Sequence, residues 1–271
     1  MVPGFDTWMN FAGPIEGRAR VDVPDWSRTN IALEKHDIRI QDARPLAGRL
    51  SLDREGFVLV RDKTPVPEDD GTDGARDYTA SVAAHLKEML GAALILPQSN
   101  GLLRRRSERA NVSGSIGPSR WVHMDYTRSF APKWLDWVSE WHGRELRGYP
   151  RFAILQTWRC ISRPPQDNTL AFCDASTIDA ADCLPFDACI AAPYEAPGNQ
   201  FESQLARFNE NQHWYCFPDL RPDELIVFKG HDSDLARDAQ PLHNSIDFSD
   251  APADAEPRAS IEARFFAFFG S

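Results

Sequence analysis

The second half of the chain repeats one pattern, and this pattern limits the possible folds more than any other feature of the sequence. Short segments rich in aromatic and β-branched residues alternate with Pro, Asp and Asn, which is typical of strands separated by turns. The segments are residues 151–162, 170–173, 213–217, 224–229, 242–248 and 260–269. Many strands at short intervals, preceded by helical segments, predict an α+β protein, mainly β, with a sandwich or jelly-roll core.

Two helices are predicted before these strands. Residues 77–92 repeat apolar side chains at helical spacing, and Gly91 lies where the helix is expected to end. Residues 132–147 place several tryptophans on about one face. We expect both helices to cover the core. Residues 1–45 have no clear period, and we interpret them as an N-terminal arm packed over the main domain.

No repeat or low-complexity linker divides the chain, so residues 1–271 are predicted to form one domain. Its jelly-roll core is expected to span about residues 121–269. The 8 Trp and 16 Phe residues favour large apolar walls, in the core or around a ligand cavity. Residues 98–119 are rich in Ser, Asn, Gly and Arg, and they predict a mobile loop at the position of an active-site lid.

The charge balance makes some partners improbable. With 30 basic and 40 acidic residues, the net charge of −10 argues against binding to nucleic acid or to an anionic membrane. Three consecutive arginines, residues 104–106, form the one basic cluster, which we interpret as a solvated loop next to Glu108. The aromatic face of the helix over residues 132–147 is compatible with a homodimer.

The expected location is the cytoplasm. The first residues lack the basic and apolar regions of a signal peptide, and no apolar run is long enough to span a bilayer. The 5 cysteines form no C-x-x-C pair and are odd in number, so we expect reduced thiols.

His123 and Asp125 form a candidate metal site. On an extended strand, side chains two residues apart point to the same face. An imidazole and a carboxylate side by side, with a second histidine, form the ligand set of non-haem Fe(II) oxygenases. His243 is the preferred second histidine because it lies on a predicted strand, whereas the rival His231 falls in a predicted turn. The simpler alternative is a structural hydrogen bond between His123 and Asp125.

Arg258 and Ser260 follow His243 at the entry to the last predicted strand. The planar guanidinium of arginine can bind a carboxylate through two hydrogen bonds, and a neighbouring hydroxyl can donate a third. Arg264 on the same strand face is the alternative carboxylate binder. We favour Arg258 because of its neighbour Ser260.

The order His-x-Asp, a distant His and Arg-x-Ser resembles the Fe(II)- and 2-oxoglutarate-dependent oxygenases. More closely, the chain resembles the hydroxylase/desaturase family of secondary metabolism, which includes gibberellin-desaturase-like and cephalosporin-methoxylation-associated proteins. The matching stretches are residues 122–127, 156–159, 170–174, 213–217, 223–233 and 257–264. Two stretches depart from the family pattern. Gln156 begins a segment where the family has Asn-Val-Trp-Arg-Pro, and Leu242 separates a proline and a histidine that are adjacent in the family.

The resemblance implies a double-stranded β-helix core, that is, a cupin-like jelly roll with N-terminal and flanking helices. It implies Fe(II) held by His123, Asp125 and His243, and 2-oxoglutarate bound by Arg258 and Ser260, with Gln156 and Arg264 as further candidate contacts. With O₂, such an enzyme hydroxylates, desaturates or cyclises a small organic substrate.

Two other classes stay open on the sequence alone. A jelly-roll iron enzyme that does not use 2-oxoglutarate would keep the three metal ligands but would not need Arg258. A non-catalytic cupin-like binding protein would have no need of an intact set of metal ligands, so the triad argues against this class.

Overall fold

The computed structural model of the protein describes residues 3–68, 72–99, 101–112, 116–249 and 251–270. Within these residues the regular structure consists of two α-helices and two β-sheets. The helices are α1 (Thr72–Leu90) and α2 (Ala131–His142). The strands are β1 (Gly4–Ala12), β2 (Ala19–Asp22), β3 (Leu33–Asp42), β4 (Phe57–Arg61), β5 (Leu94–Pro97), β6 (Leu103–Arg106), β7 (His123–Met124), β8 (Arg151–Cys160), β9 (Asn168–Cys173), β10 (Cys183–Cys189), β11 (Gln200–Ala206), β12 (Trp214–Cys216), β13 (Glu224–Asp232), β14 (His243–Asp247) and β15 (Ala259–Phe269).

The inner faces of the two sheets pack against each other. The larger sheet has the order β1-β3-β12-β9-β14-β7-β11-β10-β2, and the smaller has the order β4-β13-β8-β15-β5, with β6 also paired to β15. One buried apolar cluster joins β9 of the larger sheet to β4, β8 and β13 of the smaller sheet. Phe172 lies at its centre, with its ring centroid 5.1 Å from those of Phe57 and Phe228.

β15 divides its side chains between two environments. Ile261 and Phe265 face outwards, where they pack in one buried cluster with Val82 and Leu86 of α1. Because side chains alternate along a strand, Ser260, Glu262 and Arg264 face the space between the sheets. The polar residues of this strand are therefore directed to the interior, which is unusual for a sandwich core and marks a site.

The N-terminal segment differs from the predicted arm. β1 and β3 pair antiparallel from Gly4↔Gln41 to Ala12↔Leu33, and β3 joins the larger sheet through β12. β1 also contacts β11 and β14. The two strands are therefore part of the larger sheet. Their period is hard to detect in the sequence because most of their side chains are exposed or half-buried and are mixed in polarity.

Other boundaries also differ from the predictions. The helices occupy positions close to those expected, but α2 ends earlier, at Gly143 with φ +57°. β10 and β11 were not predicted. β6 occupies part of the predicted loop over residues 98–119, because it pairs with β15. No helix in the described part of the chain is both long and apolar enough to cross a membrane.

Gly56 positions the segment that leads into β14. Its φ of +87° favours glycine. A Cβ at this position would lie 2.4 Å from the carbonyl oxygen of Ala239 and 2.7 Å from Cδ of Pro241. Since Pro241 comes two residues before His243, the absence of a side chain at Gly56 sets where β14 begins.

We expect Gly56→Ala to lower the free energy of unfolding by about 2–4 kcal/mol, because it combines an unfavourable φ with a backbone clash. The matched control is Gly48→Ala, where an added Cβ meets nothing within 4 Å. Urea unfolding of both variants measures the difference. Equal stabilities of the two variants would show that the close approach of Gly56 does not constrain the fold.

Candidate active site

His123, Asp125 and His243 meet in the space between the sheets. The two histidines are cross-strand neighbours on β7 and β14, and their ring centroids lie 4.3 Å apart. Asp125 Oδ1 lies 3.8 Å from His123 Nε2, and Asp125 Oδ2 lies 3.7 Å from His243 Nε2. One donor atom from each residue lies within 4.8 Å of the others, and no second group of this kind occurs in the residues described.

Both histidines direct Nε2 towards Asp125. His123 Nδ1 lies 2.8 Å from the carbonyl oxygen of Trp121, and His243 Nδ1 lies 3.4 Å from that of Pro241. An N–H on Nδ1 that is donated to a carbonyl leaves the lone pair on Nε2, which is the form that binds a metal. Burial, and after it the neighbouring His243, lower the pKa of His123 to about 4. The His123 imidazole is therefore neutral at pH 7.

Asp125 is held in its charged form by Arg264. Burial by itself would raise the pKa of the Asp125 carboxyl, but the Arg264 charge and the two histidines hold this pKa well below its usual value. Arg264 Nη2 donates to Asp125 Oδ2 at 3.2 Å, and Arg264 Nε donates to Gln156 Oε1 at 3.2 Å. Gln156 thus orients the arginine that orients the carboxylate.

Arg258 is a buried arginine whose guanidinium has neutral hydrogen-bond partners. It is 1% exposed. Its guanidinium donates to Asn168 Oδ1 at 3.0 Å, to Ser260 Oγ at 2.8 Å and to Ser245 Oγ at 3.4 Å. No described carboxylate forms an ion pair with it, and burial lowers the pKa of Arg258 to about 10. The group is still charged at pH 7. It is the kind of buried, unpaired cation that binds an anion.

One cavity is lined by the triad, Arg258 and Arg264. The triad cavity, as we call it, encloses about 420 Å³ including its open mouth. Its polar lining consists mainly of His123, Asp125, His243, Arg258, Glu262 and Arg264, and Phe228 and Leu170 supply apolar walls. The structure therefore brings together the three predicted metal ligands and both candidate carboxylate binders.

Arg105 and Glu262 complete the charge pattern of the triad cavity. Arg105 Nε donates to Glu262 Oε1 at 3.1 Å, and both residues line the cavity. The interpretation of residues 104–106 as a solvated loop was therefore wrong for Arg105, because β6 pairs with β15 beside Ser260. With Asp125 paired to Arg264 and Glu262 paired to Arg105, Arg258 is the cation of the lining that no described carboxylate neutralises.

The sequence reasoning missed Asn168 and Ser245, which hold Arg258. Ser245 lies two residues after His243 on β14, so the two-residue period of a strand could have placed it on the same face. Asn168 gave no local signal, because it reaches Arg258 only through the pairing of β9 with β14. His231 lies on β13 rather than in a turn, and its Nδ1 is 3.3 Å from Asp238. It is not part of the group formed by the triad.

Comparison with known proteins identifies the family. The model of the oxidoreductase/YMDC permease-like domain family matches residues 9–268. The Fe(II)/2-oxoglutarate-dependent dioxygenase nvfI of Aspergillus novofumigatus is 31% identical over 256 residues, which cover 91% of this chain and 88% of that protein. This chain belongs to the Fe(II)/2-oxoglutarate-dependent dioxygenases. The predicted resemblance is therefore confirmed.

A second relative and a solved structure extend the similarity in sequence and in fold. The hydroxylase/desaturase efuI of Hormonema carpetanum is 26% identical over 261 residues, covering 89% of this chain and 86% of that protein. A solved structure of the iron and alpha-ketoglutarate-dependent endoperoxidase NvfI has a TM-score of 0.83 and 28% identity, and the match covers 99% of this chain and 98% of the other. This match confirms the predicted mainly β fold with a jelly-roll core. The protein is an oxidoreductase that acts on a small-molecule substrate.

Proposed function

We propose that the protein uses Fe(II), 2-oxoglutarate and O₂ to hydroxylate, desaturate or cyclise a small, natural-product-like substrate. In this proposal His123, Asp125 and His243 hold the metal, and Arg258 with Ser260 binds the distal carboxylate of 2-oxoglutarate. The observation that carries it is the buried Arg258 guanidinium, which no described carboxylate neutralises, in the same cavity as the triad.

The donor set of the triad suits Fe(II). Two imidazoles and one carboxylate on one side of a metal leave further coordination positions open for other ligands. The tautomers support this role, because each Nδ1 faces a carbonyl oxygen and each Nε2 faces Asp125. Asp125 is ionised, so it can bind a divalent cation without first losing a proton.

The charge pattern suits a dianionic cosubstrate. Keeping a guanidinium buried without a counterion costs free energy, and an incoming carboxylate relieves this cost. The partners of Arg258 are neutral hydroxyl and amide oxygens, which orient the guanidinium but do not neutralise it. A jelly-roll iron enzyme that does not use 2-oxoglutarate would leave this residue without a role.

The protein contributes position and shielding to the reaction. When bound, the metal and 2-oxoglutarate supply the oxidising chemistry, in which decarboxylation of the keto acid is coupled to hydrogen removal from a C–H bond. Arg258 fixes one end of the cosubstrate, and Arg264 fixes the Asp125 carboxylate. The Phe172 and Phe228 rings lie 6.2 and 5.0 Å from the His243 ring and exclude water from that side of the site.

Replacing any residue of the triad is expected to weaken Fe(II) binding by roughly a hundredfold or more, because each supplies one of three metal ligands. The variants are His123→Ala, Asp125→Ala and His243→Ala, and the control is His213→Ala at an exposed position. Anaerobic calorimetric titration with Fe(II) measures the dissociation constant. A triad variant that binds as tightly as the control would remove that residue from the metal site.

Arg258→Gln is expected to raise the dissociation constant of 2-oxoglutarate by about a hundredfold, because it removes the charge that pairs with the distal carboxylate. Arg264→Gln is the matched control, and we expect its effect to stay within about fivefold, since Asp125 is its partner. Anaerobic calorimetry on the Fe(II)-loaded variants measures both constants. The reverse order of effects would assign the carboxylate to Arg264.

The cytoplasmic location and the homodimer are further parts of the proposal. All five cysteines are free thiols, which is typical of a reducing compartment. A homodimer would form through the face of α2 that is not buried within the chain. Light scattering coupled to size-exclusion chromatography distinguishes a dimer from a monomer.

A further inference from the structure

A second cavity adjoins the triad cavity. This aromatic cavity encloses about 710 Å³ including its open mouth, and its walls include Tyr126, Trp134, Trp141, Phe201 and Ile190. Asp125 and Arg264 line both cavities. The carboxylate of the triad is therefore shared, and a molecule in the aromatic cavity lies next to the candidate metal site.

A larger surface depression, which we call the outer groove, does not adjoin the candidate metal site. It is lined by Met124, Ala180 and Gln204, among others. Met124 lies between His123 and Asp125, and side chains alternate along a strand, so Met124 points away from the triad. Met124 also packs into the apolar cluster beneath β1 and β3. The outer groove is therefore on the wrong side of β7 to deliver a substrate.

The aromatic cavity is built to receive a neutral molecule. Asp125 and Arg264 are the charged residues among its described lining, and they neutralise each other at 3.2 Å. No charge is left over for an ionic ligand, in contrast to Arg258 in the triad cavity. The indoles of Trp134 and Trp141 offer flat apolar surfaces, which favour contact with ring systems.

One polar group of this cavity is available to a ligand. Gln98 is 9% exposed, and its Oε1 accepts a hydrogen bond from the Tyr126 hydroxyl at 2.5 Å. Trp134 also lines the cavity, and its Nε1 donor is buried and has no hydrogen-bond partner among the described residues. A buried donor without a partner is costly, so a ligand with an acceptor oxygen is favoured at this position.

The cavity is covered by the segment between β10 and β11. Gly198 lies against both indoles, since a Cβ there would be 3.7 Å from ring atoms of Trp134 and Trp141. The segment is held together by its own hydrogen bonds, from Ile190 N to the Asn199 carbonyl at 2.9 Å and from Asn199 Nδ2 to the Pro193 carbonyl at 2.9 Å. A substrate would therefore lie between this segment and α2.

We propose that the aromatic cavity is the substrate site and that the substrate is an uncharged, largely apolar ring compound with at least one hydrogen-bond acceptor. This inference rests on the proposed function, because it takes the triad as the metal site. Trp141 and Ile190 determine which ring systems fit, since both stand at the exposed edge of the cavity.

The test uses Nile red, a neutral fused-ring dye with a carbonyl acceptor, whose fluorescence rises in apolar surroundings. Titration into the anaerobic protein loaded with Fe(II) and 2-oxoglutarate gives its dissociation constant. Trp141→Ala is expected to weaken binding about tenfold through loss of a stacking face. The matched control is Trp8→Ala, because Trp8 is 41% exposed and Trp141 is 44% exposed.

A second pair of variants tests the cavity by steric blockage. Ile190→Trp fills the mouth of the aromatic cavity and is expected to weaken Nile red binding at least about tenfold. Ala180→Trp, in the outer groove, is expected to leave the dissociation constant of Nile red unchanged. The anionic dye 1-anilinonaphthalene-8-sulfonate is expected not to displace Nile red.

Three results would overturn the inference: no Nile red binding to the wild-type protein, a loss of binding in Ala180→Trp instead of Ile190→Trp, or efficient displacement by the anionic dye. Calorimetric titration of the same proteins with 2-oxoglutarate, carried out on the Fe(II)-loaded form before the cosubstrate is added, separates this failure from that of the proposed function. If 2-oxoglutarate binds but any of these three results is obtained, only the assignment of the substrate site is wrong. If 2-oxoglutarate does not bind, the proposed function itself fails.

Discussion

The ion pair between Arg264 and Asp125 joins the two sheets at the centre of the molecule. Asp125 follows β7 in the larger sheet, and Arg264 lies on β15 in the smaller sheet. The pair keeps the carboxylate ionised beside two histidines, although burial alone would favour its protonation. It also forms the boundary between the triad cavity and the aromatic cavity. This contact thus links the two sheets at the site, keeps a candidate metal ligand charged and lies where the two cavities meet.

Ion pairs between lining residues determine which charge, if any, each cavity presents to a ligand. In the triad cavity, Asp125 and Glu262 already have arginine partners, so the Arg258 guanidinium is the group that needs an anion. In the aromatic cavity the same Asp125–Arg264 pair leaves no net charge, and the other walls are largely apolar. In the proposed function, a charged cosubstrate and a neutral substrate would therefore occupy two adjoining cavities that share one carboxylate. The two-residue period of β15 contributes to this arrangement, because it directs Ser260, Glu262 and Arg264 to the same inner face.

The candidate site residues could be predicted from the sequence more completely than the strands that surround them. His123, Asp125 and Arg258 could be named as candidates from local spacing and residue type, and the structure places all three in the lining of one cavity, while their roles stay predictions. His243 was chosen over His231 by its predicted strand, and the structure places both on strands, so the reason given was only partly correct. Asn168 could not be found, because it reaches Arg258 only through long-range strand pairing. β10 and β11 were also missed, because they too are positioned by long-range strand pairing. The segment that connects them covers Trp134 and Trp141.

The most direct test of the central claim is an anaerobic titration of the Fe(II)-loaded wild-type protein with 2-oxoglutarate, monitored by visible absorption. Chelation of Fe(II) by a keto acid through two oxygens produces a weak charge-transfer band. The account predicts that this band appears and saturates at one equivalent of 2-oxoglutarate. If Fe(II) binds and no band develops, the triad holds a metal without this cosubstrate, and the role given to Arg258 is wrong.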